Sequence, residues 1–237
     1  ILCGGKGTRL KEHTQYIPKP LVEIGGMPIL WHIMMSYKSF GFNDFILALG
    51  YLGEKIINYF EKNPHGFKIT FIDTGESTNT GGRIFHCRKK LGIRDFMVTY
   101  GDGVADINLQ KLVQFHKDVE TIGTITGVRP HSQFGIMVIN KENKVQKFEE
   151  KPLLEHWING GFFVFKHDFI NYLSENFILE KEPLENLSND RELSVYKHYG
   201  FWACMDTYKD NRMLDSLIKA NKAPWITWEK KGDKHGI

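Results

Sequence analysis

The 237-residue sequence is poor in cysteine and has no long apolar run. Its three cysteines are odd in number, far apart in the chain and without metal-ligand spacing, which argues against a disulfide framework and a zinc site. We therefore expect a reducing, cytoplasmic compartment. A membrane-spanning helix needs about eighteen consecutive apolar residues, and neither such a run nor a secretory leader is present. Because the sequence opens on Ile1 rather than methionine, we expect that residues precede it.

The sequence also lacks a strong charge of one sign. Lys and Arg number 31 against 28 Asp and Glu, for a formal net charge of +3, and they are dispersed along the chain. We therefore expect neither nucleic acid nor a membrane as a partner. A Gly-x-Ser-x-Gly elbow is missing and no histidine has a convincing nucleophile partner, so acyl transfer is poorly supported.

Apolar segments alternate with amphipathic ones along most of the chain. This alternation predicts a doubly wound α/β domain with a mostly parallel sheet, a Rossmann-like arrangement with antiparallel additions in the second half. We expect one domain over residues 1–237, with a nucleotide-binding half (1–128), an acceptor-binding half (129–223) and a C-terminal arm (224–237). Predicted helices cover residues 29–37, 53–61, 82–91, 109–119, 167–174 and 206–222. Predicted strands cover residues 45–49, 68–72, 96–100, 121–128, 134–140, 145–149 and 161–165.

A glycine-rich loop follows the apolar start of the chain. Gly4, Gly5 and Gly7 leave the backbone free to lie against a ligand, and Lys6 and Arg9 add positive charge. The loop matches neither a Walker A sequence nor the dinucleotide fingerprint. On its own it predicts a phosphate-binding loop and an ordinary turn about equally well.

Asp102 follows the predicted strand at residues 96–100, and Asp206 follows a strand predicted near Phe201. Asp102 lies between two glycines, which suits either a Mg²⁺ ligand or a Gly-Asp-Gly turn. Asp206 suits either a Mg²⁺ ligand or the N-cap of the last helix. Ligands of open α/β sheets bind at the carboxyl ends of the strands, so both aspartates, the glycine loop, Lys19 and Lys151 are expected to converge there. This set favours phosphoryl or nucleotidyl transfer.

Taken together, these segments resemble the sugar-1-phosphate nucleotidyltransferases, and within them most closely the glucose-1-phosphate cytidylyltransferases. The resemblance covers nearly the whole chain, in blocks that follow one another in the family's order. They are residues 2–10, Pro18-Lys19-Pro20, residues 21–34, 73–76, 80–83, 99–106, Glu150-Lys151-Pro152, Asn159-Gly160-Gly161, Gly200-Phe201-Trp202, Met205-Asp206-Thr207 and residues 222–228.

The resemblance implies an enzyme that joins CTP and a phosphate monoester, with Mg²⁺ as cofactor, to give a CDP-linked product and pyrophosphate. It implies Arg9, Lys19 and Lys151 as catalytic residues, on the pyrophosphate, the α-phosphate and the acceptor phosphate respectively, and Asp102 with Asp206 as the metal ligands. The nucleotide-binding residues would be Leu2, Gly4, Gly5, Gly7, Thr8, Arg9, Lys19, Gly82, Arg83 and Asp102, with Gly82 and Arg83 at the cytosine. The acceptor-binding residues would be Glu150, Lys151, Asn159 and Gly160.

The sequence departs from this branch between Phe60 and Ile69, where a short link replaces a longer insertion. That departure leaves the acceptor open, either a sugar 1-phosphate such as glucose 1-phosphate or a non-sugar phosphate such as a phosphorylated amino alcohol. It also leaves open the subunit number of the expected homo-oligomer. A non-catalytic nucleotide-binding regulator is a further alternative, although a pure binder would not need both carboxylates.

Overall fold

The computed structural model describes residues 1–7 and 16–228. Helices and strands alternate through the first half, and the strands of the second half are more often antiparallel. The helices are α1 (Ile29–Ser39), α2 (Gly53–Lys62), α3 (Thr80–Leu91), α4 (Leu109–Val119), α5 (Glu182–Asn189) and α6 (Tyr208–Lys219). The strands are β1 (Glu23–Ile24), β2 (Met27–Pro28), β3 (Asp44–Leu49), β4 (Lys68–Asp73), β5 (Phe96–Thr99), β6 (Gly103–Ala105), β7 (Gly123–Val128), β8 (Ile136–Ile139), β9 (Val145–Glu149), β10 (Ile158–Phe165), β11 (Leu193–Lys197) and β12 (Trp202–Cys204).

The first three residues join two groups of strands into one central sheet. Leu2 donates its backbone N–H to Thr99 of β5 at 2.9 Å, and Cys3 donates to Ala48 of β3 at 2.9 Å. The resulting strand order is β4, β3, residues 1–3, β5, β10, β7 and β11. All neighbours are parallel except β10, which is antiparallel to both β5 and β7. The prediction of a mostly parallel sheet with antiparallel additions in the second half is therefore confirmed.

Antiparallel pairs outside the central sheet complete the second half. Strands β8 and β9, which match the predicted strands at 134–140 and 145–149, pair as a hairpin with exposed side chains, and β12 pairs with β6. The pairing of β6 and β12 brings the chain near residue 102 beside the chain near residue 205, where Met205 N–H donates to the Asp102 carbonyl at 2.9 Å. This pairing decides where the two aspartates lie.

Most predicted elements are present with shifted ends, and some predictions were wrong. Residues 167–174 were predicted as a helix, and His167–Tyr172 forms a shorter 3₁₀ helix, after which the chain is extended at Leu173. Helix α5 and strand β11 were not predicted, because each is short and has too few apolar residues for a clear period. The two prolines of Pro18-Lys19-Pro20 favour an extended chain in the residue before each of them, yet Lys19–Leu21 forms a 3₁₀ turn. Such a turn tolerates proline because its first N–H groups have no partner within the turn.

The hydrophobic core lies in clusters on the two faces of the central sheet. One cluster packs α1, α2 and α4 against the sheet, and it includes Trp225, which is fully buried and stacks on Phe201 at 5.4 Å between ring centroids. The described part of the predicted C-terminal arm, residues 224–228, is thus packed on the core. The predicted boundaries between the two halves and the arm remain a prediction. Among the residues that the structure describes, no helix is long and apolar enough to cross a membrane.

Candidate active site

A cleft of about 460 Å³ opens where the carboxyl ends of β5 and of residues 1–3 meet. It lies at the edge where an open α/β sheet is expected to bind its ligand. The residues lining it are Leu2, Cys3, Gly4, Gly5, Gly7, Lys19, Pro20, Thr78, Asn79, Thr80, Arg83, Tyr100, Gly101, Asp102, Ile178, Glu180 and Asp206. Eight of the predicted site residues are in this lining: Leu2, Gly4, Gly5, Gly7, Lys19, Arg83, Asp102 and Asp206.

Lys19 lies between the two predicted metal ligands. Its ammonium nitrogen is 2.6 Å from Asp102 Oδ2 and 2.7 Å from Asp206 Oδ1. Burial lowers the pKa of Lys19, but the charge of Asp102 and the hydrogen bonds to both carboxylates outweigh burial, so the pKa lies above its usual value. The cluster therefore holds one cation between two anions inside the cleft.

Local structure explains how these side chains reach one point. Lys19 is held at the start of its 3₁₀ turn, where Leu21 and Val22 donate N–H groups to Pro18 and Lys19 carbonyls at 2.8 and 3.1 Å. Gly101 permits close packing beside it, because a Cβ there would lie 3.1 Å from both the Leu2 carbonyl oxygen and Pro20 Cγ. A side chain at position 101 would press on Leu2 and on Pro20, the residue that follows Lys19.

Asp206 is not the N-cap of the last helix. Thr207 has that role, since its hydroxyl accepts from the Asp210 N–H and the Asp210 carboxylate accepts from the Thr207 N–H in a capping box. The Asp206 side chain is therefore left to contact Lys19. Of the two sequence interpretations of Asp206, the N-cap is excluded.

The aspartates offer the oxygen ligands that a hard divalent cation prefers. Single donor atoms of Asp102, Asp206 and Cys204 lie within 4.8 Å of one another. Burial and the charge of Asp102 raise the pKa of the Cys204 thiol, which favours its protonated form in this structure. The residues present thus fit a cation bound through carboxylate oxygens.

Arg83 fastens the glycine loop to the neighbouring strand ends. Its guanidinium donates to the carbonyl oxygens of Gly4, Leu49, Gly75 and Glu76 and to the Thr74 hydroxyl, at 2.6–3.2 Å. Gly4 is required beneath it, because a Cβ on Gly4 would lie 2.0 Å from Arg83 Nη1. Arg83 lines the cleft, and its contact with the cytosine stays a prediction. The structure shows a second role, because the guanidinium of Arg83 holds the backbone of the glycine loop at Gly4.

Gly82 is packed against a different segment. A Cβ there would lie 2.1 Å from the Glu175 carbonyl oxygen, and its N–H donates to the Phe177 carbonyl at 3.1 Å. It is not among the lining residues, so close packing accounts for the glycine, and a contact with the cytosine stays a prediction.

The predicted acceptor residues are only partly brought to the cleft. Lys151 and Glu150 pair with each other at 3.4 Å, are half exposed and do not line it. Asn159 borders it through Tyr100, whose hydroxyl accepts from Asn159 Nδ2 at 3.3 Å, and the Gly160 carbonyl accepts from Trp202 Nε1 at 2.8 Å. Thr8 and Arg9 lie outside the described residues. Their assigned roles stay predictions.

Several lining residues were not predicted as site residues. Thr78, Asn79 and Thr80 lie at the start of α3, where the positive end of the helix dipole favours negative charge. Tyr100 directly precedes Gly101 and Asp102, and this position in the sequence could have identified it as a residue of the site. Glu180 had no sequence signal, because it reaches the cleft from a segment about eighty residues away in the chain.

The cleft can hold an anionic nucleotide. Its glycine loop and the start of α3 offer backbone N–H donors, Lys19 carries positive charge, and the two aspartates offer carboxylate oxygens that fit a cation. A family model described as nucleotidyl transferase matches residues 1–222. The chain belongs to the nucleotidyl transferase family.

Similar proteins agree with this membership. A probable glucose-1-phosphate cytidylyltransferase of Bacillus subtilis is 43% identical, over 96% of this chain and 98% of its own length. A glucose-1-phosphate cytidylyltransferase of Salmonella typhimurium is 40% identical, over 97% and 98%. The crystal structure of HddC from Yersinia pseudotuberculosis in complex with GMP-PN is 26% identical, with a TM-score of 0.73 over 92% of this chain and 97% of that chain.

Proposed function

We propose that the chain is a cytidylyltransferase that joins CTP and a sugar 1-phosphate to give a CDP-sugar and pyrophosphate. The observation that carries the proposal is the cluster of Lys19, Asp102 and Asp206 beside the glycine loop in one cleft. That cluster provides the balance of positive charge and metal ligands that nucleotidyl transfer requires.

The reaction needs little covalent chemistry from the protein. An oxygen of the acceptor phosphate attacks the α-phosphorus of CTP, a new P–O bond forms, and the bond to the leaving pyrophosphate breaks. The attacking oxygen is already anionic, so no general base is required, and the obstacle is repulsion between two anions. An ammonium about 4 Å from a phosphate oxygen contributes roughly 4 kcal/mol at an effective dielectric constant of about 20, before desolvation.

The chain's own residues have separable roles in this scheme. Lys19 neutralises the α-phosphate, and the Gly4–Gly5 backbone, held by Arg83, orients the triphosphate. Asp102 and Asp206 would hold a divalent cation, which we propose to be Mg²⁺ because both ligands are hard oxygens. When bound, Mg²⁺ neutralises phosphate charge and helps to align the reacting oxygens.

The two substrates are supported by the relatives rather than by the fold. Both bacterial relatives are named as glucose-1-phosphate cytidylyltransferases, whereas the HddC structure contains GMP-PN, so the base differs within this fold. Near-complete coverage at 40–43% identity supports CTP and a sugar 1-phosphate here. The non-sugar acceptor is the alternative that the test below includes.

Pyrophosphate release should be measured with each nucleoside triphosphate against a panel of glucose 1-phosphate, other sugar 1-phosphates and phosphorylated amino alcohols. We expect release with CTP and a sugar 1-phosphate. Equal rates with UTP or dTTP would refute the cytidine assignment, and release only with an amino alcohol phosphate would refute the sugar acceptor. Asp102→Asn should lower turnover at least a hundredfold, whereas Asp44→Asn, which removes an exposed partner of Lys68, should leave it unchanged.

The location of the protein and its subunit number are also part of the proposal. The free cysteines Cys3, Cys87 and Cys204 support a cytoplasmic location, where thiols are kept reduced. The homo-oligomer expected from the sequence stays a prediction, and sedimentation velocity would measure it.

A further inference from the structure

One wall of the cleft carries a carboxylate, Glu180, to which no motif pointed. It lies in the segment between Ser174 and Lys181, which is fastened to the start of α3. Asn79 Nδ2 donates to the Asn176 carbonyl at 3.0 Å, and Gly82 N–H donates to the Phe177 carbonyl at 3.1 Å. The same segment places the Glu180 side chain beside Tyr100 in the cleft lining.

Both oxygens of the Glu180 carboxylate are held by protein hydroxyls. Tyr100 donates its hydroxyl hydrogen to Oε1, and Thr80 donates to Oε2 at 2.7 Å. The Thr80 hydroxyl in turn accepts from the Leu179 N–H at 2.9 Å, so its hydrogen is left to point at Glu180. The carboxylate therefore has a defined orientation although Glu180 is exposed on the cleft side.

The Tyr100 side chain is itself held in place by residues of β10. Its hydroxyl oxygen accepts from Asn159 Nδ2, and Asn159 Oδ1 accepts from the Gly161 N–H at 2.8 Å. Gly161 has a positive φ of 78°, and a Cβ there would lie 2.4 Å from the Tyr100 ring, so the glycine makes room for the ring. Burial and the neighbouring charge of Glu180 raise the pKa of Tyr100, so the hydroxyl remains a donor.

The chemistry of Glu180 restricts what it can meet. An ionised carboxylate only accepts hydrogen bonds and has about four acceptor positions, of which Tyr100 and Thr80 use two. A phosphate would be repelled, so in a cleft that binds phosphates this carboxylate must face an uncharged part of the ligand that carries donors. Sugar-ring hydroxyls are such donors, and both the ribose of a nucleotide and a sugar acceptor carry them.

We propose that Glu180 accepts hydrogen bonds from the ring hydroxyls of a sugar bound in the cleft, and that Tyr100 and Thr80 are positioning residues for its carboxylate. This inference rests on the proposed function and deepens it, because it assigns a residue that distinguishes hydroxylated from deoxygenated ligands. A buried or oriented acceptor that loses its donor is left unpaired, and this penalty makes such sites selective.

Calorimetric binding tests the inference without turnover. For wild type and Glu180→Gln, the dissociation constants of CTP, 2′-deoxy-CTP and 3′-deoxy-CTP are compared, and likewise those of glucose 1-phosphate and its monodeoxy analogues. We expect wild type to prefer one hydroxylated ligand at least tenfold over a deoxy analogue, and Glu180→Gln to lose most of that preference. If Glu180→Gln loses the preference in the CTP series, Glu180 contacts the ribose. If it loses the preference in the glucose 1-phosphate series, Glu180 contacts the acceptor sugar.

Glu175→Gln is the matched control, because Glu175 is exposed on the same segment. Its carboxylate has a long, weak contact with His86 at 3.8 Å. It should keep the wild-type preferences. Tyr100→Phe and Thr80→Val should weaken the same preference as Glu180→Gln and, where turnover is measured, raise KM more than they lower kcat. A merely structural role would lower the folded fraction without changing the preference.

Three outcomes would overturn the inference. Wild type could show no preference in either series, a result that needs no variant to fold. Glu180→Gln could fold and keep both preferences. It could also bind UTP as well as CTP with both preferences kept, which would assign Glu180 to the cytosine amino group. Absence of turnover with any substrate pair would refute the proposed function, while the binding preferences would still be measurable.

Discussion

Replacing Lys19 with methionine should destabilise the protein and make its stability depend on divalent metal. Methionine keeps most of the apolar stem of lysine but removes the ammonium that lies 2.6 and 2.7 Å from Asp102 and Asp206. The two carboxylates, whose oxygens lie within 4.8 Å of each other, would then face one another without a cation.

The size of the effect follows from the geometry. Two negative charges at that separation repel each other by about 3 kcal/mol at an effective dielectric constant of about 20. The carboxylates keep 24% and 32% of their surface exposed, so water screens part of this repulsion, although loss of both ion pairs adds to it. We expect the free energy of unfolding to fall by about 2–4 kcal/mol, which for a chain of this size lowers Tm by roughly 6–12 °C.

Urea unfolding at pH 7.5, with and without Mg²⁺, measures the effect. Mg²⁺ should stabilise Lys19→Met more than wild type, because in the variant the cation need not displace an ammonium. Since the pKa of Lys19 is raised, its contribution in wild type is complete below about pH 10.5 and is lost as pH rises further. The difference between wild type and variant should therefore shrink in strong alkali.

The control is Lys68→Met, which removes an exposed lysine 3.1 Å from Asp44. It should change neither the free energy of unfolding nor the response to Mg²⁺. If Lys19→Met is as stable as wild type, or if Mg²⁺ stabilises both equally, the two carboxylates are not held together by Lys19 and the electrostatic reasoning is wrong.

Two other substitutions test the loop and the core. Gly4→Ala should cost about 1–3 kcal/mol and weaken CTP binding, because its Cβ would lie 2.0 Å from Arg83 Nη1, whereas Gly5→Ala, with nothing within 4 Å, should be as stable as wild type in thermal unfolding. Equal losses of stability in Gly4→Ala and Gly5→Ala would contradict the conclusion that Arg83 holds the glycine loop at Gly4. Burial lowers the pKa of His32 to about 4 and outweighs the opposite effect of the hydrogen bond between its Nε2 and the Ile24 carbonyl at 2.9 Å, while Nδ1 has no partner among the described residues. The unfolded chain thus binds a proton first, and stability should fall by roughly 3 kcal/mol between pH 6.5 and pH 4. His32→Gln should flatten this slope, and an unchanged slope would assign it to other groups.

Periodicity in the sequence was enough to predict the parallel part of the fold. Helix α4 begins and ends where its amphipathic pattern predicted, with Asn108 as its N-cap. The pattern was insufficient for α5, whose eight residues bury only Pro183, Leu184 and Leu187. It also could not separate a 3₁₀ from an α-helix at residues 167–172, because both bury apolar residues three apart.

The residue types of the candidate site and their order along the chain could be read from the amino-acid sequence. Gly4, Lys19, Asp102 and Asp206 were each predicted, because glycines, a lysine and carboxylates at strand ends are what phosphate and metal chemistry needs.

Which contacts these residues make depends on the folded chain. The pairing of β6 with β12 brings Asp206 to Lys19, while Thr207 caps the last helix. Arg83 lies in α3 and donates to the carbonyl of Gly4 in the glycine loop. Glu180 enters the cleft through hydrogen bonds to residues eighty and one hundred positions away. Contacts of that range depend on how the strands pair and how the helices pack on them, which no local pattern of residues specifies.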